Sequence, residues 1–328
     1  MFSIFTTIAD KLVFGLIGLS TTSTFADALH FFIEDTLKIF VLLIVMIYII
    51  ALFRSSLNIE KVRSYLSQKP KWMGYLLGSG FGAITPFCSC SSIPVFLGFT
   101  AAGIPVGISM AFLLTSPLIN EVAVLLLLSL LGWKITIIYV LIGMAIGVLG
   151  GIFLDLIHAE TLLQPFARKA YDSALGINVT HVSNEIKSFK DRHDFAKTEL
   201  KSIFSRVWKW VIFGVSLGAV LHGFVPDGWI MEHLGAGQWW SVPVAVILGI
   251  PLYSNASGVI PVMESLLTKG LPLGTTLAFC MSVVAASFPE FIMLKQVLVW
   301  RLLVIIFMML LVAFTLTGLL LNWITIFL

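Results

Sequence analysis

Two thiols flanking one serine stand out in the run TPFCSCSSIP at residues 85–94, where Cys88 and Cys90 are two of the three cysteines in 328 residues. Paired soft sulfurs suit Cu(I), zinc, or trivalent arsenic and antimony. Tetrahedral structural zinc needs further ligands, and no histidine lies nearby in sequence to supply them. Cys280 either completes a three-sulfur site with the pair or is an ordinary small buried residue. Ser89, Ser91 and Ser92 surround the pair with hydroxyls, and a second polar run, PLYSNASG at residues 251–258, offers Tyr253, Ser254, Asn255 and Ser257. Asn120, Glu121 and Glu290 add an amide and two carboxyls inside apolar stretches. Acids in such surroundings mark ion or proton pathways, because burial disfavours their charged form. The alternative for each is to brace a broken helix by accepting hydrogen bonds from freed amide groups.

The elements that carry these groups must be membrane helices. The chain is 59% hydrophobic and 11% charged, far from the quarter charged of a soluble domain. Of its 37 charged residues, 20 fall in residues 54–71 and 158–206, which leaves 17 for the other 261 positions. At roughly 20 residues per crossing of a ~30 Å core, this composition excludes a water-soluble enzyme and predicts a polytopic membrane protein. Residues 1–35 read as an N-terminal interfacial segment and not as a signal peptide, since residues 1–10 carry no Lys or Arg. A span at residues 36–53 leads into a basic loop, and apolar segments follow at 72–101, 106–131 and 134–157. The basic loop and the polar stretch 158–206 both read as cytoplasmic. An even number of crossings must join them, so one of the three segments turns back. That segment is 72–101, whose proline-rich middle no continuous helix accommodates. It reads as a re-entrant hairpin with its irregular tip buried in protein, the alternative being a kinked full crossing.

The chain also repeats itself. Ile93, Pro94, Val95, Gly103, Pro105, Gly107, Ala111 and Phe112 all recur 167 positions later, as Ile260 through Phe279. Residues 86–92 resemble 251–258, and Ser116-Pro117 with Glu121 echoes residues 287–290 once about five residues of insertion are allowed. The second half reads as a span at 207–224, a hairpin at 242–268, and spans at 273–294 and 302–327, its first connection (225–240) lacking Lys and Arg and lying outside. The expected fold is therefore an all-α polytopic membrane protein of two inverted-topology repeats, each with three transmembrane spans and one re-entrant or broken helical hairpin. Repeat 1 is residues 36–157 and repeat 2 is 207–328, with 158–206 a solvated amphipathic cytoplasmic linker. An odd number of crossings per repeat demands the inversion, and broken helices meeting at mid-membrane are the mark of secondary transporters. The structural breaks are expected at Pro86, Pro94, Pro117, Pro251, Pro261 and Pro289. Trp72, Trp133, Trp239, Trp240 and Trp323 sit at segment ends, as an interfacial aromatic belt requires.

No GxxxxGK[ST] loop, HExxH or GxSxG motif is present, which points away from ATP hydrolysis, membrane proteolysis and esterase chemistry and toward a gradient-driven transporter. The runs TPFCSCSSIP, AAGIPVG and TSPLINEVAVLLL, then PLYSNASGVIP, KGLPLGTTLAF and SFPEFIML, resemble the predicted-permease family that includes the ArsP-type organoarsenical efflux permeases. The resemblance covers residues 34–157 and 206 to the end. It implies a multi-pass permease of the bacterial inner membrane, export of trivalent organoarsenicals, and participation of the motif cysteines, here Cys88 and Cys90. The expected protein is thus a secondary-active permease and no enzyme, with no cofactor, no nucleic-acid partner, a metalloid or other small-molecule substrate in a lipid bilayer, and self-association into a homo-oligomer left open. Cys88, Ser89, Cys90, Ser91, Ser92, Asn120, Tyr253, Ser254, Asn255 and Ser257 are the expected substrate-binding residues. Cys88 and Cys90 are the expected metalloid ligands, and Glu121 and Glu290 the ion-coupling pair. One alternative is a permease for another small solute, such as a sulfur compound or an oxyanion. Another is a membrane thiol oxidoreductase cycling Cys88 and Cys90.

Overall fold

The computed structural model describes residues 3–16, 18, 24–56, 70–85, 89–119, 121–176, 189–224, 238, 240–251, 262–263, 266–267, 270–295 and 297–324. Among them every named element is a helix. The first half holds α1 (Ser3–Asp10), a π-helical turn (Lys11–Leu16), α2 (Thr24–Ser56), α3 (Lys71–Ile84), α4 (Ser89–Ala101), α5 (Val106–Leu118) and α6 (Glu121–Leu156). A 3-10 turn (Ala159–Leu162) and α7 (Pro165–Gly176) begin the connection, and α8 (Phe189–Phe224) ends it and opens the second half. There follow α9 (Ser241–Gly249), α10 (Leu273–Ala285), α11 (Phe288–Leu294) and α12 (Trp300–Ile324). Among the described residues two stretches, Leu127–Leu156 with 30 residues and Trp300–Ile324 with 25, are long and apolar enough by themselves to cross a bilayer. Their outward faces are bare hydrocarbon: Leu149, Leu141, Val312 and Leu316 are all more than half exposed, which water would penalise and lipid requires. Trp72 and Trp323, near helix ends, and Trp133, beside the interruption of α6 at Gly132, are also more than half exposed.

The short helices behave differently. α3 has 14 residues and α4 and α5 have 13 each, about 20 Å apiece and too short for a ~30 Å core. Gly103, at φ 75°, lets the chain reverse between α4 and α5, a backbone that side-chain-bearing residues resist. Asp155 near the end of α6 gathers the surrounding termini. It accepts a hydrogen bond from Tyr75 at 2.7 Å, pairs with Lys71 at 3.5 Å at the start of α3, and packs so closely on Gly107 in α5 that a Cβ there would sit 2.7 Å from its own. The start of α3 and the start of α5 therefore lie at one level, so α3 and α4 go out and come back. Gly132, at φ 76° and ψ 173°, interrupts α6, and its longer limb returns alongside α5. A Cβ on Gly151 would come 2.8 Å from that of Ala111, a near-contact of backbones that only glycine permits.

The 167-residue spacing reappears in the geometry. Gly270 also has positive φ (91°), and α10 begins after Pro272 as α5 begins after Pro105. Ile104 N donates to Phe99 O at 3.0 Å, and Leu271 N to Leu266 O at 3.1 Å. α5 and α10 have the same 13-residue length and each closes with a bond from its C-cap amide, Ile119 to Thr115 O and Ala286 to Ser282 O. Added Cβ atoms on Gly82 and Gly249 would approach Phe112 O (2.8 Å) and Phe279 O (3.0 Å), and a Cβ on Gly318 would meet Ala278 as one on Gly151 meets Ala111. Asn322 stands where Asp155 does; its Oδ1 accepts from the Gly274 amide at 2.7 Å and its Nδ2 donates to the Thr275 hydroxyl at 3.1 Å.

The two sets pack through α5 against α10 and along the long pair α2 and α8. α2 and α8 run antiparallel, with Tyr48 bonded to His193 (2.7 Å) and Phe40 edge-on to Phe204 (5.5 Å). The charged residues 189–206 are thus a helical continuation of the second half's first span, laid against α2. One buried core runs through both halves, from Phe96, Met110 and Phe112 to Met281, Leu298 and Phe314. At the other end of α2, Glu34 accepts from Thr6 (2.7 Å) and Lys38 (2.6 Å) while His30 bonds Asp10 (2.9 Å), which docks the N-terminal helix. Burial raises the Glu34 pKa, but the hydrogen bonds and charges of Lys38, Thr6 and His30 outweigh it and hold it below the ordinary glutamate value.

Candidate functional site

The first break separates α3 from α4. α3 stops as Thr85 turns extended (φ −87°, ψ 132°), its hydroxyl closing on Phe81 O at 2.7 Å. α4 then opens on Ser89, Cys90, Ser91 and Ser92, and Pro94 lies within it. Proline has no N–H, so the Cys90 carbonyl loses its intrahelical donor. The second break follows α5 at Ile119 (φ −109°, ψ 91°), two residues beyond Pro117. There Tyr139 donates to the Leu118 carbonyl at 2.7 Å, satisfying one of the acceptors a helix end frees. Pro94 and Pro117 thus sit inside helices, with the breaks beside them.

The two breaks meet. Ser92 Oγ and Ser116 Oγ lie 2.7 Å apart with both residues fully buried, which joins the first turn of α4 to the last turn of α5. Nearby, Ser79 bonds Thr115 (2.9 Å) and the Met144 carbonyl (3.2 Å), tying α3, α5 and α6 together. In the second half α10 ends at Ala285 with Ala286 as its cap, Ser287 is extended (φ −70°, ψ 150°), and α11 carries Pro289 and Glu290 in its first turn. At constant spacing Ala286 matches Ile119, so the breaks align without the insertion that the local motif match required. Glu121 likewise opens α6, placing both acids in the first turn after a break. Glu290 is buried at 5% exposure, and Ser287 is buried with its hydroxyl lacking a hydrogen-bond partner among the described residues. α11 packs against α4, and α10 against α5, so the helices flanking the second half's break touch the helices that flank the first half's breaks. Cys280, half-buried on α10, is within electrostatic range of Tyr139 and hence of the second break.

Of the residues expected from sequence, Ser92 and Glu290 are therefore placed at this junction with their side chains. Ser89, Cys90, Ser91, Glu121 and Pro289 are placed by backbone alone, and Pro251 turns just beyond α9. Pro86, Cys88, Asn120, Tyr253, Ser254, Asn255, Ser257 and Pro261 lie outside the described residues. Among the described residues no three His, Cys, Asp or Glu side chains form a metal-sized group. Sequence does not single out Tyr139, whose one signal is a polar side chain amid an apolar span. The junction offers buried hydroxyls and a carboxyl at mid-helix breaks, a set suited to binding a small polar solute and carrying a proton.

The chain is similar to curated relatives described only as UPF0718 proteins. It is 20% identical to one from Methanocaldococcus jannaschii over 72% of this chain and 78% of that protein. It is 25% identical to YraQ of Escherichia coli over 69% of this chain and 61% of the relative, and 22% identical to YcgR of Bacillus subtilis over 67% and 71%. No solved structure matches. A family model described as predicted permease, ArsP_1, matches residues 24–323, nearly the whole helical assembly just described, and the chain belongs to that family of membrane permeases.

Proposed function

We propose that the protein is a secondary-active permease of the bacterial inner membrane that exports trivalent organoarsenicals or related soft metalloids by alternating access around the junction of its broken helices. The observation that carries the reading is the buried Ser92–Ser116 bond between two helix breaks, with the Glu290-bearing helix packed against α4, the helix that carries Ser92. Broken helices at mid-membrane supply free carbonyls, amides and half-helix dipoles to a solute. The shared 167-residue offset of turns, caps and glycine contacts supports two repeats, and the odd number of crossings read from the sequence supports their inversion. In this mechanism Cys88 and Cys90 engage the metalloid transiently, since tight thiolate binding would slow release. Protonation of Glu121 and Glu290 couples the gradient to the change of facing state, with the acids neutral in one state and charged in the other.

Uptake of methylarsenite into everted vesicles, with and without a proton gradient, tests the reading. Cys88→Ser with Cys90→Ser is expected to cut uptake at least tenfold, and Glu290→Gln to leave a residual rate insensitive to the gradient. Undiminished uptake by the double cysteine variant refutes the thiol role. A second reading, a permease for an oxyanion or a sulfur compound, is favoured by one feature: the side chains described at the junction are largely hydroxyls, Ser92, Ser116 and Ser287. Thiosulfate uptake that depends on these serines and not on the cysteines would select it.

A further inference from the structure

In the connection between the halves, Gln164 makes several hydrogen bonds to the second half. Gln164 N donates to Val297 O (2.8 Å), and its Nε2 donates to Lys295 O (3.2 Å) and Leu298 O (3.3 Å). The Gln164 carbonyl accepts from Arg168 N at 2.9 Å and starts α7 behind Pro165, a proline suited to a first helical position. Beside it Val299 N donates to Leu162 O (3.1 Å), and Leu163 pairs antiparallel with Leu298, both buried. The carbonyls that Gln164 holds belong to the turn that follows α11 by one residue, and that turn is itself tight: Lys295 N bonds Phe291 O, and Leu298 N bonds Leu294 O at 2.8 Å. On its far side α7 packs against α4, the helix that opens on Ser89 and Cys90, with Ala167 fully buried.

We infer that Gln164 is a positioning residue: it fixes the α11–α12 turn, and through it the helix carrying Glu290, against α7 and the first hairpin. The strap 162–176 and the α11–α12 turn then move as one body, so the cysteine helix and the Glu290 helix cannot change facing state independently. No direct contact of Gln164 with a solute is involved. The functional half of this inference rests on the transport reading above, whereas the mechanical half does not.

Hydrogen exchange of the full chain in nanodiscs, compared across the unaltered protein, Gln164→Ala, Gln164→Glu and Gln164→Lys, tests it without any substrate. Two lost side-chain hydrogen bonds predict roughly tenfold or more faster exchange over residues 288–299 in the Ala and Glu variants. Lys, which keeps a donor, is expected to restore most of the protection, which a purely steric role would not allow. Acceleration confined to residues 162–168, or equal in all three variants, overturns the inference. A second measurement serves if those variants fail to fold. Leu163→Cys with Leu298→Cys places two cysteines on an opposed antiparallel pair, within disulfide reach. Oxidation is expected to preserve slow exchange over 288–299. In vesicles that take up methylarsenite it is also expected to preserve uptake, while losing uptake reversibly on cross-linking would mean that the strap must part and would overturn the single-body assignment. Absence of uptake by the unaltered protein refutes only the substrate, and leaves the exchange result decisive.

Discussion

The Ser92–Ser116 bond can be tested by a double-mutant cycle. Both hydroxyls are at zero exposure and 2.7 Å apart, so removing one strips a buried hydrogen bond from the other. Leaving a buried donor or acceptor short of that bond costs about 1–3 kcal/mol. Ser→Ala also gains up to about 0.5 kcal/mol of helix propensity, because both positions lie in helical turns. The loss wins, and each single variant should be destabilised by roughly 1–2 kcal/mol, a fall in melting temperature of about 2–4 °C per kcal/mol. Removing both hydroxyls leaves neither requiring the other, so the double variant should cost less than the sum of the singles by about 1 kcal/mol. The cycle cancels whatever other contacts each serine makes. Thermal unfolding in one detergent, scored by tryptophan emission for all four proteins, gives the coupling. Strictly additive costs would refute the bond as the tie between the two breaks, and with it the geometric basis for a shared site.

Further outcomes follow from the same geometry. Gly82→Ala and Gly249→Ala should be destabilising by similar amounts, roughly 1–3 kcal/mol each, because the new methyl meets a carbonyl oxygen 2.8 or 3.0 Å away that backbone cannot easily yield; tolerance of one alone would deny the matched packing. Asn322→Ala should cost about 1–2 kcal/mol by orphaning the Gly274 amide, measured by the same unfolding assay. Lys38 and His30, on α2 itself, and the Thr6 hydroxyl of α1 hold the Glu34 carboxyl below its ordinary value; the ionised carboxyl therefore favours docking of α1 through the Thr6 bond, and this contribution is lost as pH falls through the lowered value. A spin label at Ile8 should become mobile in acid, and Glu34→Gln should abolish the transition; a transition that persists in that variant assigns it to another group.

Much of the organisation was legible in the chain. Apolar length and scarce charge specify membrane helices because hydrocarbon offers backbone groups no partners, so composition alone excludes a soluble fold. The repeat was readable because Gly103 and Pro105, with their counterparts Gly270 and Pro272, answer to local backbone demands, positive φ and a proline ahead of a helix start, which any chain building that turn must meet. Local demands also placed Glu121 and Glu290 in first turns after breaks. What lay beyond sequence was every contact made at long separation. That Ser92 meets Ser116, that Tyr139 closes on Leu118, and that Gln164 grips the turn at 295–298 depend on how close helices approach, which no periodicity encodes. Likewise Pro94 and Pro117 announce irregularity nearby, yet the chain yields at Thr85, whose own hydroxyl closes on Phe81, and at Ile119, where Tyr139 holds the preceding carbonyl. Sequence by itself determined the apolar helices and the recurring turn, proline and glycine positions, since those follow from short-range chemistry. The tertiary structure alone decided which breaks share a junction, because that is settled by glycine-mediated packing between segments that are distant along the chain.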